Sequence, residues 1–440
     1  MRILHYSLGF PPYRSGGMTK FCMDLMKQQI QEGHEVSLLW PGEITIVGKK
    51  TRIKQHKPVE GIGNYEVINP TPVPLDEGIK DFEAFTVSGD AEVYDGLIKS
   101  LKLDVIHVHT LMGLHKALLD VSNKAGIRVV FTAHDFFPIC PKVTMFRNGK
   151  ICDFVDGCDE CGVCNNTALS IRKIQILQSP LYRRVKDSVF VKILRKQHRK
   201  AYLKADAVSN SISVGSVENY KELRSHYYTL LKMMDMIHYN SSTTKKVFEK
   251  TFYLPKNVVI SITHADIADH RIRRTYTDEK LRIRYMGSEA DYKGYYTLRK
   301  ATDKLWRERK DFVLDVHFKV ENKPDYMNCH NRFSYEDLEN IFNNTDVLIC
   351  PSLWYETFGF TVLEAISWGV PVIISENVGA KDVLADGAGI IIDDIDYEKV
   401  FSVLKNLNAE TLSQMNMANT TKQHILAFKD MTQELMKRMY

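Results

Sequence analysis

Pro351-Ser-Leu-Trp-Tyr-Glu356-Thr-Phe-Gly359-Phe360-Thr361-Val-Leu-Glu364-Ala-Ile-Ser-Trp-Gly369-Val-Pro371-Val decides the reading of the fold. The apolar run Asp346–Cys350 before it has the length and composition of a buried strand, and Val370–Ser375 after it reads the same way. Thr361–Trp368 between them carries a helical pattern, so the stretch predicts strand, loop, helix and strand. Gly359 permits close approach of the backbone to a ligand. The N–H groups of Phe360 and Thr361 would point out of the helix start, a geometry that suits a phosphate or diphosphate. Glu356 and Glu364 are carboxylates able to accept hydrogen bonds from sugar hydroxyls. Thr361 and Glu364 also match a capping box, which would make Glu364 structural.

The same alternation extends in both directions. Leu281–Met286, Val313–Phe318 and Gly389–Ile392 read as strands and Phe333–Phe342 as a helix. At the other end, Ile3-Leu4 begins a strand and Pro11 to Gly17 is a loop. Met18, Phe21, Cys22, Leu25, Met26 and Ile30 follow at helical spacing, Gly33 stops that helix, and Val36–Trp40 is the next strand. Asp104–His109, Ile127–Ala133 and Asn257–Thr263 complete the strand set. Residues 45–100 read as less regular, and His270–Asp278 as a linker. The expectation is α/β with two doubly wound domains facing each other across a cleft, ligands lying at the carboxyl ends of the strands. Residues 1–270 would form one domain and 279–440 the other, with the last helix a candidate to pack back on the first domain.

At 440 residues, with 44% hydrophobic and 26% charged side chains, fibrous, mostly disordered and small disulfide-scaffold classes are excluded. No apolar run is long enough for a membrane span, and the start is too short in apolar residues for a secretory signal. A cytoplasmic location is expected. The net charge is +5, yet Arg172–Lys204 alone carries +10. Ile174, Leu177, Leu181, Val185 and Val189 interleave with Arg172, Lys173, Arg183, Arg184, Lys186, Lys192, Arg195, Lys196, Arg199 and Lys200. This segment, 169–205, reads as a cationic amphipathic helix interrupted at Pro180. It suits an anionic membrane surface, or else a solvated helix packed on the domain. It lacks the stacking aromatics and motifs of a nucleic-acid binder, so no nucleic acid is expected.

Cys140, Cys152, Cys158, Cys161 and Cys164 cluster within an insertion at 140–168. Overlapping C-x2-C pairs bring thiolates together, and four of the five form a candidate structural zinc set. Packed thiols and an iron–sulfur cluster are the alternatives. Cys22, Cys329 and Cys350 read as inert.

The Glu356 to Glu364 string resembles the E-x7-E signature of retaining nucleotide-sugar glycosyltransferases of family 4. That family has the GT-B fold of two Rossmann-like domains. The resemblance implies that Glu356 contacts the donor sugar, that Phe360 and Thr361 hold the diphosphate by their backbone, and that Glu364 binds the ribose. Tyr285-Met-Gly287-Ser-Glu-Ala-Asp-Tyr-Lys293-Gly294 is similar to the family's Lys-Gly element, which implies a diphosphate role for Lys293. Where the family commonly carries an arginine, this chain has Ser288. Phe131-Thr-Ala-His134-Asp135 resembles the family's cleft histidine, with Asp135 a candidate to orient His134. Gly16-Gly17 matches the glycine-rich loop facing donor and acceptor. His109 and His264 lie at strand ends without an assigned role. His134-Asp-Phe-Phe-Pro-Ile-Cys140-Pro, followed by the cysteine-rich loop, is similar to one branch of the family.

The resemblance implies transfer of a hexosyl group from a nucleoside diphosphate sugar, with UDP favoured by its frequency in the family. No catalytic cofactor is implied. The acceptor is expected to be a lipid-linked or growing cell-surface or capsular polysaccharide, and the enzyme to be peripheral on the inner face of the plasma membrane. The alternatives are a sugar-phosphate synthase or epimerase on the same fold, and a non-catalytic scaffold binding a membrane or partner.

Overall fold

The structure is a computed structural model that describes residues 1–45, 48, 50–152, 160–186, 188, 191 and 214–440. In the first half the strands are β1 (Arg2–Tyr6), β2 (Glu35–Pro41), β3 (Arg52–Val59), β4 (Ile62–Ile68), β5 (Val105–Val108), β6 (Arg128–Ala133), the short pair β7 (Phe146–Arg147) and β8 (Lys150–Ile151), β9 (Met236–Tyr239) and β10 (Asn257–Val259). All but β7 and β8 form one sheet, ordered β10-β9-β6-β5-β1-β2-β4-β3. It is parallel except where β3 runs against β4. The second half contributes β11 (Leu281–Tyr285), β12 (Phe312–Val316), β13 (Met327–Cys329), β14 (Val347–Cys350), β15 (Val372–Ser375) and β16 (Gly389–Ile392). These form a parallel sheet ordered β13-β12-β11-β14-β15-β16.

Local chemistry accounts for most boundaries. The helix Gly17–Gln31 buries Phe21, Cys22, Leu25 and Met26 on one stripe, as its 3.6-residue spacing requires. Gly33, at φ 86°, turns the chain out of it in the left-handed region. The helix Phe428–Met439 packs on that first helix and on β9, with Phe428 edge-on to Phe21 at 6.5 Å between ring centroids. The stretch His270–Asp278 has no helix or strand and is pinned to the second domain. The Arg271 guanidinium donates to the carbonyls of Asn419 and Gln423 at 2.7 Å, and Arg274 donates to those of Phe342 (2.8 Å) and Trp368 (3.1 Å).

Several expectations need correction. Residues 45–100 hold the β3–β4 hairpin and the helix Ala91–Leu101. The hairpin turns at Glu60-Gly61, where both residues have positive φ (51° and 83°). As the sheet's edge, β3 exposes most of its side chains and so lacks the apolar alternation that marks a buried strand. The helix expected over Phe333–Phe342 is a 3-10 turn at Tyr335–Asp337, capped by Ser334, followed by Leu338–Asn343. The strand expected to reach Thr263 ends at Val259.

The basic segment begins as two short helices, Ile171–Leu177 and Pro180–Val185, separated where the proline cannot continue the first. Ile174 is buried, whereas Ile176 and Leu181 are 60% and 71% exposed. Arg183 does not belong to the exposed charge. Its guanidinium donates to the buried Glu66 carboxylate at 2.7 Å and lies over Tyr13 and Trp40. Lys192, Arg195, Lys196, Arg199 and Lys200, with Val189, lie outside the described residues.

Candidate active site in the interdomain cleft

The loop leaving β14 is held by backbone bonds before any side chain acts. Glu356 N–H donates to the Asn377 carbonyl (3.0 Å), and Gly379 N–H donates to the Glu356 carbonyl (2.9 Å). The Glu356 carboxylate faces the Lys293 ammonium and accepts from the Trp354 indole N–H at 3.1 Å. The same ammonium lies 4.6 Å from the Trp354 ring centroid, a cation–π contact. Burial disfavours charge on Lys293, but the opposing Glu356 outweighs it and its pKa is raised above the usual lysine value.

Gly294 makes that pairing possible. It sits at φ 77°, and a Cβ there would lie 1.8 Å from the Pro351 carbonyl oxygen. Only glycine lets the Lys293 turn press this closely on the Glu356 loop. At Gly287 a Cβ would meet the Tyr285 hydroxyl at 2.4 Å. That hydroxyl instead donates to the Ser288 carbonyl at 2.8 Å.

Gly359, at φ 103°, opens the helix Phe360–Ser367. The start has no side-chain cap, so the capping box expected from Thr361 and Glu364 does not form. The Phe360 and Thr361 N–H groups precede the first intrahelical bond and stay available to an anion. Glu364 is buried and places an oxygen 3.3 Å from His264 Nε2. His264 packs edge-on against Phe360 and Tyr335 at 5.1 and 5.3 Å. Among the described residues its nitrogens make no hydrogen bond; the contact with Glu364 is one of proximity.

The two domains meet at this loop. Thr357 Oγ1 donates to the His134 carbonyl at 3.1 Å, and the Ser241 hydroxyl donates to the Thr357 carbonyl at 2.5 Å. Gly16, at φ 118°, leads into the first helix. A Cβ on Gly17 would stand 3.5 Å from the Phe360 ring, so the glycine loop of one domain lies against the helix start of the other. Gly17, His134, Lys293, Glu356, Gly359, Phe360, Thr361 and Glu364 thus gather where the two domains meet.

The His134 side chain is oriented differently from expectation. Asp135 accepts from the Phe137 backbone N–H at 3.0 Å, closing a local turn. The partner of His134 is His109, with Nε2 and Nδ1 3.1 Å apart. Behind it stand His5, His107 and His238, one on each of three strands. Burial drives the pKa of His134 down to about 3 and those of His5 and His238 down to about 4. His107 and His109 are also held well below the usual histidine value, by burial first and then by neighbouring histidines, His5, His134 and His238 among them. All five are neutral imidazoles. The alternation His107-Val-His109 on one strand was the signal for this cluster, since residues two apart share a sheet face. Trp354 and Thr357, beside the quoted glutamate, also escaped the sequence reading.

Cys140, Cys152, Cys161 and Cys164 line one cavity together with Met145, Phe146, Glu160 and Arg224. Burial raises the Cys140 pKa, against the opposing pull of backbone N–H groups at Met145 and Lys142 and the charge of Arg224. Cys158 lies outside the described residues. Groups close enough to share a metal among the described residues are His5, His107, His109 and Cys22, His109, His134. No helix among the described residues is long and apolar enough to cross a membrane.

Comparison with known proteins matches residues 15–208 to the family model described as Glycosyltransferase Family 4, and residues 318–424 to that described as Glycosyl transferases group 1. Two relatives are each described as an uncharacterized protein in the cps region of Klebsiella pneumoniae. The 41.2 kDa one is 32% identical over 133 residues, spanning 29% of this chain and 36% of its own length. The 42.6 kDa one is 22% identical over 395 residues, spanning 86% of each. Among solved structures, a UDP-forming α,α-trehalose-phosphate synthase from Burkholderia xenovorans, in complex with glucose-6-phosphate, superposes with a TM-score of 0.57. It is 12% identical and covers 100% of this chain and 99% of that one, a likeness of fold. With paired parallel-sheet domains, and with a family 4 model matching the first and a group 1 model matching the second, the chain belongs to the GT-B glycosyltransferases.

Proposed function

We propose that the protein is a retaining glycosyltransferase that moves a hexosyl group from a nucleoside diphosphate sugar, UDP favoured, to a hydroxyl of a growing or lipid-linked cell-surface polysaccharide. The observation that carries this reading is the juxtaposition of the Lys293–Glu356 pair with the open helix start at Phe360 and Thr361. A diphosphate at the helix start would meet free N–H groups and the positive end of the helix dipole. Lys293 would exchange Glu356 for the diphosphate, neutralising charge as the sugar bond breaks. Glu356, released from the lysine, would accept hydrogen bonds from sugar hydroxyls. Glu364 would take the ribose hydroxyls. His134 would face the sugar from the opposite domain. The departing diphosphate would accept the acceptor's proton on the face it leaves, so no enzymic nucleophile is required. Two relatives from a cps region support polysaccharide assembly.

A structural zinc on four of the five cysteines belongs to the same proposal; it rests on the overlapping C-x2-C spacing and on the cavity that Cys140, Cys152, Cys161 and Cys164 share, while among the described residues no three of these sulfurs stand within metal-sharing distance. When bound it would cross-link the insertion and take no part in transfer. Peripheral binding to an anionic membrane is supported by the exposed Ile176 and Leu181 beside the basic segment.

The test is product formation from a panel of nucleoside diphosphate sugars with the protein and its Lys293→Met and Glu356→Gln variants. Transfer by the wild-type chain and a drop of about a hundredfold in each variant, the usual loss for one charge-stabilising group of about 3 kcal/mol, is the expected result. Near-normal turnover in both variants would remove this donor-site assignment.

A further inference from the structure

The buried histidines form one hydrogen-bonded chain whose direction can be read from its far end. His238 Nε2 lies 2.7 Å from the Ile260 carbonyl oxygen. A carbonyl only accepts, so that nitrogen carries a proton. In a neutral imidazole the other nitrogen is then bare, and His238 Nδ1 accepts from the Thr132 hydroxyl at 3.0 Å. With its proton committed, the Thr132 oxygen accepts from His107 Nε2–H at 2.7 Å. His107 Nδ1 is therefore bare and accepts from the Tyr440 hydroxyl at 2.7 Å. The Tyr440 oxygen accepts from the Gln29 amide nitrogen at 3.0 Å, and the Gln29 amide oxygen accepts from His5 Nε2–H at 2.7 Å. His5 Nδ1 accepts from His109 Nε2–H at 2.9 Å, and His109 Nδ1 accepts from His134 Nε2–H at 3.1 Å.

Every proton in the chain points from the cleft toward Ile260. The reversed polarity would need His238 protonated on both nitrogens. Burial, the cause that lowers its pKa to about 4, opposes that. Strand register supplies the scaffold, because His5 pairs with His107 across β1 and β5, and Thr132 pairs with His238 across β6 and β9. Each ring nitrogen of His5, His107 and His109 is engaged within the chain. The cluster therefore reads as a hydrogen-bond relay and not as a metal centre.

The consequence falls on His134. Its Nε2 is committed as a donor, and among the described residues its Nδ1 has no hydrogen-bond partner. We propose that His109, His5, Gln29, Tyr440, His107 and Thr132 are positioning residues that lock His134 in its Nε2–H tautomer, so that the bare Nδ1 faces the cleft as an acceptor for a hydroxyl of the bound sugar. The sugar partner rests on the proposed transferase activity. The tautomer lock rests on the geometry alone. An acceptor here selects a hydroxyl donor and would leave a ligand carbonyl or carboxylate at that position unpaired.

The tautomer can be read without substrate. Full-length protein labelled with 15N in its histidine rings, examined by long-range proton–nitrogen correlation at neutral pH, should show His134 protonated on Nε2 alone. A His134→Gln sample identifies the resonances. Tyr440→Phe and Thr132→Val each interrupt the chain while keeping side-chain shape, and should give a mixture of His134 tautomers. Thr132→Ser, which keeps the hydroxyl, should retain the single form. In turnover assays the two interrupting variants should lose about tenfold in kcat, the scale of one mispointed hydrogen bond, while Thr132→Ser stays near wild type. A wild-type His134 protonated on Nδ1 would overturn the proposal. So would an unmixed Nε2–H signal in both Tyr440→Phe and Thr132→Val. A locked tautomer in a protein without transferase activity would sustain the relay and refute the activity instead.

Discussion

Acidification to pH 5 should destabilise the first domain far more than its charge balance suggests, because its core buries neutral histidines. His5, His115 and His238 each have a pKa lowered from 6.5 to about 4 by burial. Below pH 6.5 the unfolded chain takes up protons that the folded one refuses, so stability falls as pH falls, until the folded pKa is reached. At pH 5 each of these three costs about 2 kcal/mol, or about 6 in all. Asp135 works in the opposite direction. Burial raises its pKa from 3.8 to about 6, so the folded state binds a proton first and returns about 1 kcal/mol at pH 5. The net loss is about 5 kcal/mol before His107, His109 and His134 are added, against a usual domain stability of about 5–15 kcal/mol. Urea unfolding between pH 7 and 5, followed by circular dichroism, should show the midpoint falling steeply below pH 6.5. A change of less than about 1 kcal/mol over that range would refute the reasoning, because neutral burial of these rings requires the penalty.

The cysteine insertion should bind close to one zinc per chain, released when Cys161 and Cys164 are both replaced by Ser; elemental analysis of chelator-free protein showing no metal would refute this. The protein should float with anionic but not neutral vesicles and release with salt, each basic residue at the surface contributing about 1 kcal/mol. Charge reversal at Arg195, Lys196, Arg199 and Lys200, or Asp at Ile176 and Leu181, should abolish flotation; undiminished flotation of both sets would exclude the segment as the membrane contact.

The parallel sheets were legible because their buried strands are continuous apolar runs bounded by loops, as at Asp346–Cys350. The β3–β4 hairpin was not, since an edge strand satisfies its backbone on one side only and need not bury its side chains. In the cleft, Gly359 could be found because a strand-to-helix turn needs it, whereas Glu356 and Lys293, 63 residues apart, were legible through the resemblance of their strings to the family's. The partner of His134 could not. Its neighbour Asp135 is adjacent in sequence and is spent on a backbone N–H. His109 is distant in sequence and adjacent only once β5 and β6 are paired. Arg183 failed for the same reason: read along the chain it is one of a run of cations, yet in space it neutralises Glu66. Pairings across the sheet carry no local spacing signal.

The same long-range pairings couple the two halves of the site. The loop that aims Glu356 is held from the first domain through Thr357, which donates to the His134 carbonyl and accepts from Ser241. Gly379 can have no side chain, because a Cβ there would lie 2.2 Å from the Thr357 carbonyl and 2.5 Å from the Ser241 hydroxyl. Any hinge motion that opens the cleft must break these bonds, and so must unlatch the Glu356 loop from the strand end bearing His134. The residue that faces the lysine and the histidine at the end of the relay are thus tied together through Thr357, with Thr244 donating to the same carbonyl and Ser242 donating to Asp382 beside it.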